Sequence, residues 1–190
     1  MNIELIDTGY DRLMAQARNP ADIPTQAFAG VIGFARRHAA MPPHRVLRLS
    51  VERYAVLLER YFVNAGLAAA GEATDDAACP ALDNDEFVDL LDLLLAYRST
   101  RDEQSEWLAR AVAAACLGNN HLWQDLGLPD RQALSDLLEQ NFTTLFARNS
   151  GNMKWKKFFY KQLCERAEVN LCKAPSCRVC TDYAQCFGPE

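Results

Sequence analysis

From Asp85 to Tyr97 the apolar residues Phe87, Leu90, Leu91, Leu94 and Leu95 recur at intervals of three and four. That spacing lays side chains along one face of a helix, and Asn84 or Asp85 is placed to cap its first turn. The same rhythm at Phe28, Val31, Ile32 and Ala35 predicts a helix starting near Pro24 and ended by Met41-Pro42-Pro43. A short amphipathic segment, Thr8 to Arg18, precedes it and closes at Asn19-Pro20. Leu47, Val51, Tyr54, Leu58, Tyr61 and Phe62 predict one longer helix from Arg45 to about Leu67. Downstream, Ser105 is placed to cap a helix with Leu108, Val112, Ala115 and Cys116 on one face and Gly118 as its terminating glycine. Asp130, after Pro129, starts another helix through Leu134, Leu137, Leu138, Phe142 and Leu145. A last helix runs from about Met153 to Ala167 and leads into the C-terminal tail.

No window shows sustained two-residue alternation, so the expected fold is all-α, a single helical domain with a C-terminal Cys-rich metal-binding loop. Ala68 to Asn84 reads as a linker, because small and acidic residues without apolar rhythm do not offset ordering entropy. The chain thus divides into N-terminal helices and linker (1–84), a core helical region (85–171) and the tail (172–190). Its 190 residues suit one ordinary core. A formal charge of -5 argues against general attraction to nucleic acid or anionic membrane. No apolar run is long enough to span a bilayer and no signal peptide opens the chain, so a cytoplasmic protein is expected. Hydrolase and nucleotide-binding motifs such as Gly-x-Ser-x-Gly and the phosphate-binding glycine loop are absent, so an enzyme is not expected.

The chemistry concentrates in the tail, where Cys172, Cys177, Cys180 and Cys186 are separated by four, two and five residues. Four soft donors so close in sequence can hold an iron–sulfur cluster or zinc, or pair as disulfides. Structural zinc usually takes two Cys-x2-Cys knuckles, whereas a single one flanked by wider gaps suits the larger cluster. In a reducing compartment disulfides rank last. Before the tail, Lys154, Lys157 and Lys161 form a basic face on the last helix, either a solvated flank or a patch for a dianion or for an acidic partner; Arg148, Lys156 and Arg178 add to it. The same helix should bury Trp155, Phe159 and Leu163. Cys164 reads as a buried thiol or a further ligand, Cys116 as core, and Cys79 as incidental. His121 follows a helix C-terminus, where it serves equally as a cap or a ligand, with Asp125 placed to orient it or simply to face solvent.

Three motifs in this order, His121-Leu122-Trp123-Gln124-Asp125-Leu126-Gly127-Leu128, Met153-Lys154-Trp155-Lys156-Lys157-Phe158-Phe159-Tyr160, and Cys-x4-Cys-x2-Cys-x5-Cys ending in Cys186-Phe187-Gly188, resemble the NifQ family of nitrogen-fixation proteins. The resemblance implies a carrier of molybdenum and an iron–sulfur cluster, of the 4Fe-4S or Mo-3Fe-4S type, that donates molybdenum for assembly of the nitrogenase iron–molybdenum cofactor. It also implies the NifEN scaffold and the NifH iron protein as partners, and it makes His121 a candidate molybdenum ligand. The expected asymmetry is that three tail cysteines hold iron durably while the fourth, His121 or Cys164 serves an exchangeable corner. Two other readings stay open: a structural zinc module for protein interaction, and a simple iron–sulfur electron-transfer protein.

Overall fold

Helix α6, Glu103–Cys116, lies at the centre because it can be buried on almost every side. Trp107, Leu108, Val112 and Cys116 are buried along it, and so are Ala109, Ala111, Ala113 and Ala115, whose small side chains let neighbouring helices approach. The computed structural model describes residues 9–38, 42–63, 85–167 and 183–187. Within them the elements are α1 Gly9–Ala15, α2 Ile23–His38, α3 Pro43–Val46, α4 Val51–Tyr61, α5 Asp85–Tyr97, α6, α7 Leu122–Asp125, α8 Arg131–Asn141, α9 Thr143–Arg148, α10 Trp155–Arg166 and α11 Tyr183–Phe187. No strand occurs among the described residues beyond one isolated bridge, Ala17 to Phe62, so the all-α expectation holds there. The linker expected from 68 to 84 lies outside the described residues.

Helix α2 packs on α1, α3, α6, α7 and α8, while α5 packs on α6, α9 and α10. The core joins Phe28 and Ile32 of α2 to Leu57 and Leu58 of α4, Leu90 and Leu94 of α5, Trp107 and Val112 of α6, and Phe158 and Phe159 of α10. Each such side chain contributes roughly 1.5–3 kcal/mol through burial.

Four expectations change in detail. The single helix predicted from Arg45 is two, α3 and α4, separated at Arg48, whose φ of 50° no helix accommodates. Arg110 of α6 supplies the reason, donating from Nη1 to the Arg48 carbonyl at 2.8 Å, and Ser50 then caps α4 by accepting from the Arg53 amide. Helix α6 begins before Ser105, since Asp102 is the cap and accepts from the Ser105 amide at 2.7 Å. Phe142, at φ -137° and ψ 47°, divides the helix predicted after Asp130 into α8 and α9. Gly118 is not the left-handed terminator expected of it, because among the described residues the glycine at positive φ is Gly127. Gly118 meets a different demand, arising at the site.

Candidate metal centre

The His121 motif folds as a one-turn helix, α7, against the end of α6. His121 is its N-cap residue, extended at φ -63° and ψ 149°, and the His121 amide donates to Gln124 Oε1 at 3.1 Å. Leu122, Leu126 and Leu128 are buried and sink the turn into the core, while Trp123 is half-buried against it. As expected, His121 follows the C-terminal end of the helix Glu103–Cys116, and it also opens the next turn.

Underneath, the turn is held by glycine. A methyl group on Gly30 of α2 would sit 2.1 Å from the Leu126 carbonyl oxygen, and one on Gly127 would sit 2.7 Å from the Gly30 Cα. Gly127 also has φ +67°, which a side chain disfavours. Backbone thus packs directly on backbone where the motif meets α2.

Through its carboxylate Asp125 bonds groups other than the His121 ring, and it does not face solvent. Its carboxylate accepts from Asn120 Nδ2 at 2.9 Å, from the Asn120 amide at 3.2 Å and from Lys156 Nζ at 2.5 Å. Its side chain is 7% exposed and that of Lys156 17%, so the pair is largely removed from water. Lys156 also donates to the Gly118 carbonyl at 2.8 Å. Here lies the demand on Gly118: a Cβ would come within 2.4 Å of Asp125 Oδ2. Lys156 therefore leaves the basic face expected of it and serves as an internal tie.

Helix α10 carries the basic face in reduced form. Lys157 is exposed, Lys154 is the half-buried N-cap residue, and Lys161 pairs with Glu165 at 2.6 Å four residues on. Arg148 lies over the Tyr97 ring, 5.3 Å from its centroid. Trp155 and Phe159 are buried as expected, but Phe158 and Gln162 complete the buried face, and Leu163 is half-buried. The Tyr160 hydroxyl donates to Glu86 of α5, fixing the rotation of α10.

Of the four tail cysteines, Cys172, Cys177 and Cys180 lie outside the described residues. Cys186 is described, half-buried on α11, and its carbonyl accepts from the Lys154 amide at 2.8 Å. Phe187 packs beside it on the core, near Gly151. The tail thus returns to the start of α10, and the turn it meets is braced by Asn149, whose side chain bonds both the amide and the carbonyl of Met153 at 2.9 Å. One residue on from this contact, the indole N–H of Trp155 is buried without an acceptor. Cys164 is half-buried ten residues further along α10, about 15 Å of helix rise from Lys154. Cys116 is core, as expected: burial pushes its thiol up to about 12, so it stays protonated at neutral pH. No group of three or more histidine, cysteine, aspartate or glutamate side chains gathers at metal-binding distance among the described residues.

Sequence reasoning missed two features. A groove of about 580 Å³ runs beside the motif, lined by Phe34 and Ala35 of α2, Phe87 and Leu117, with Asn119, Asn120 and Asp125 at one end. The Asp125–Lys156 tie was missed as well. Its one sequence signal is Lys156 opening α10, a cation at an unfavourable helix end.

These features describe a class of protein, a helical domain whose late helices brace a histidine turn and receive a cysteine-bearing tail. The family described as NifQ matches residues 27–188. A NifQ protein of Azotobacter vinelandii is 42% identical over 160 residues, covering 80% of this chain and 81% of the relative. One from Rhodobacter capsulatus is 33% identical over 172 residues, covering 88% and 92%. A NifQ homologue of Sinorhizobium fredii is 48% identical over 96 residues, covering 50% and 42%. No solved structure matches the chain. The chain belongs to the NifQ family, which is implicated in nitrogen fixation.

Proposed function

We propose that this protein carries molybdenum with an iron–sulfur cluster on its tail cysteines and supplies that molybdenum for assembly of the nitrogenase iron–molybdenum cofactor. The observation that carries the reading is the family match, which takes in Cys172, Cys177, Cys180 and Cys186. The donor set suits the cargo, because thiolates are soft ligands and their uneven spacing accommodates a cluster better than a single ion. The orphaned Trp155 N–H, next to the residue that receives the tail, is the type of donor that stabilises negative sulfur.

The residues divide the work. The domain fixes Cys186 by its backbone to the start of α10, giving the tail one stationary point. Three cysteines retain iron, and the fourth, with His121 or Cys164, holds molybdenum weakly enough to release it. The basic residues Lys154, Lys157 and Lys161 draw molybdate or an acidic acceptor surface toward that end. The acceptors are the NifEN scaffold acting with the NifH iron protein. The carrier acts in the cytoplasm, and among the described residues no helix is long and apolar enough to cross a membrane.

Single Cys→Ala variants at the four tail positions, with His121→Ala and Cys164→Ala, test the division through separate measurement of iron and molybdenum. Molybdenum should fall alone in the variants at the exchangeable corner, and both metals should fall at the retaining cysteines. Equal loss of both metals at every tail position, with no effect at His121 or Cys164, would contradict it.

A further inference from the structure

We infer that Asp125 and Lys156 act together as a latch that positions the His121 turn against the start of α10; the molybdenum part of this inference rests on the carrier reading. Lys156, the second residue of α10, opposes the dipole of its own helix. Both residues are largely buried, and a buried ion pair gives little net stability compared with apolar side chains of the same volume. Burial energy argues against both residues here, and local preference against Lys156.

What the pair does provide is geometry. One carboxylate gathers the Asn120 amide, the Asn120 side chain and the Lys156 ammonium, while that ammonium also holds the Gly118 carbonyl. The backbone on the N-terminal side of His121 is fixed by Asn120 and by the His121 amide donating to Gln124 Oε1. On its C-terminal side it is fixed by buried Leu122 and by the Gln124 amide donating to the His121 carbonyl. Gly118 gives up a side chain to admit the carboxylate. The helix so joined to the histidine turn is the one whose first turn receives Cys186. Through it, two motifs more than twenty-five residues apart in the chain keep a fixed relation. Asp125 and Lys156 are thus positioning residues and need not touch the metal.

The test uses full-length, anaerobically purified protein bearing Asp125→Asn, Lys156→Met, or both. Each single change strands a buried partner and should lower the urea midpoint. The double variant should recover a midpoint near wild type. Its amides from 118 to 125 should nevertheless exchange with solvent at least tenfold faster, and its molybdenum-to-iron ratio should fall at least threefold with iron unchanged. Exchange as slow as wild type in the double variant would overturn the latch. Faster exchange with an unchanged molybdenum-to-iron ratio would overturn its role toward metal. Should the wild-type protein hold no molybdenum, the carrier reading fails, and the exchange measurement still decides the latch.

Discussion

Gly30 shows how much one missing side chain secures. Alanine there gains up to about 1 kcal/mol of helix propensity, yet its methyl would press on the Leu126 carbonyl, a backbone atom that cannot rotate away. Overpacking of this kind costs about 1–3 kcal/mol, so Gly30→Ala should lower the urea midpoint and disturb the His121 turn more than the rest of the chain. Glu106 illustrates the electrostatic counterpart. It accepts from Arg53 at 3.0 Å and from Arg110 at 2.9 Å, and these guanidiniums, Arg53 foremost, hold its carboxyl below the usual range. Its folded-state pKa is depressed, so its contribution is present above the unfolded value near 4.5 and is lost as pH falls through the folded one. Comparing wild type with Glu106→Gln by urea unfolding should give a gap at pH 7 that narrows as pH falls below 4.5 and closes once the folded-state carboxyl is protonated. A gap unchanged with pH would mean that the carboxylate's charge is not what Arg53 and Arg110 use.

At the scale of elements, helices with strong apolar rhythm were legible: α2, α5 and α10 lie close to where three- and four-residue spacing puts them. The break at Arg48 was not, because the residue that terminates α3 is Arg110, sixty-two positions away, and periodicity carries no information about it. Leu47 and Val51 continue the rhythm across a kink imposed by tertiary contact. The candidate site divides the same way. His121, Lys156 and the cysteines stand out by residue type, but the Asp125–Lys156 pairing is a relation between elements and became visible only in three dimensions. Element packing also predicts how the tail is held. Lys154 has φ -54° and ψ 130°, angles proline adopts, so Lys154→Pro removes the amide that binds the Cys186 carbonyl without forcing the backbone at that residue. Faster hydrogen exchange at 183–187 with little change in the urea midpoint is expected. Unchanged exchange would show that Phe187 packing alone secures the tail.

The whole molecule sets an apolar scaffold apart from the residues proposed to serve the cargo. The core of α2, α4, α5 and α6 is apolar, and its buried thiol, Cys116, is kept protonated. The described residues proposed to serve the metal, His121, Cys164 and Cys186, fall instead on the α7 turn, on α10 and on the α11 turn that bonds the start of α10. A net charge of -5 with basic residues along α10 favours local over general attraction of anions. The most direct measurement is iron, molybdenum, zinc and acid-labile sulfide per chain on one sample purified anaerobically from cells supplied with molybdate. Iron and sulfide at cluster stoichiometry with molybdenum below one atom per cluster is the result expected of a carrier caught partly loaded. Zinc near one per chain without iron or sulfide would contradict it and make the tail a structural knuckle.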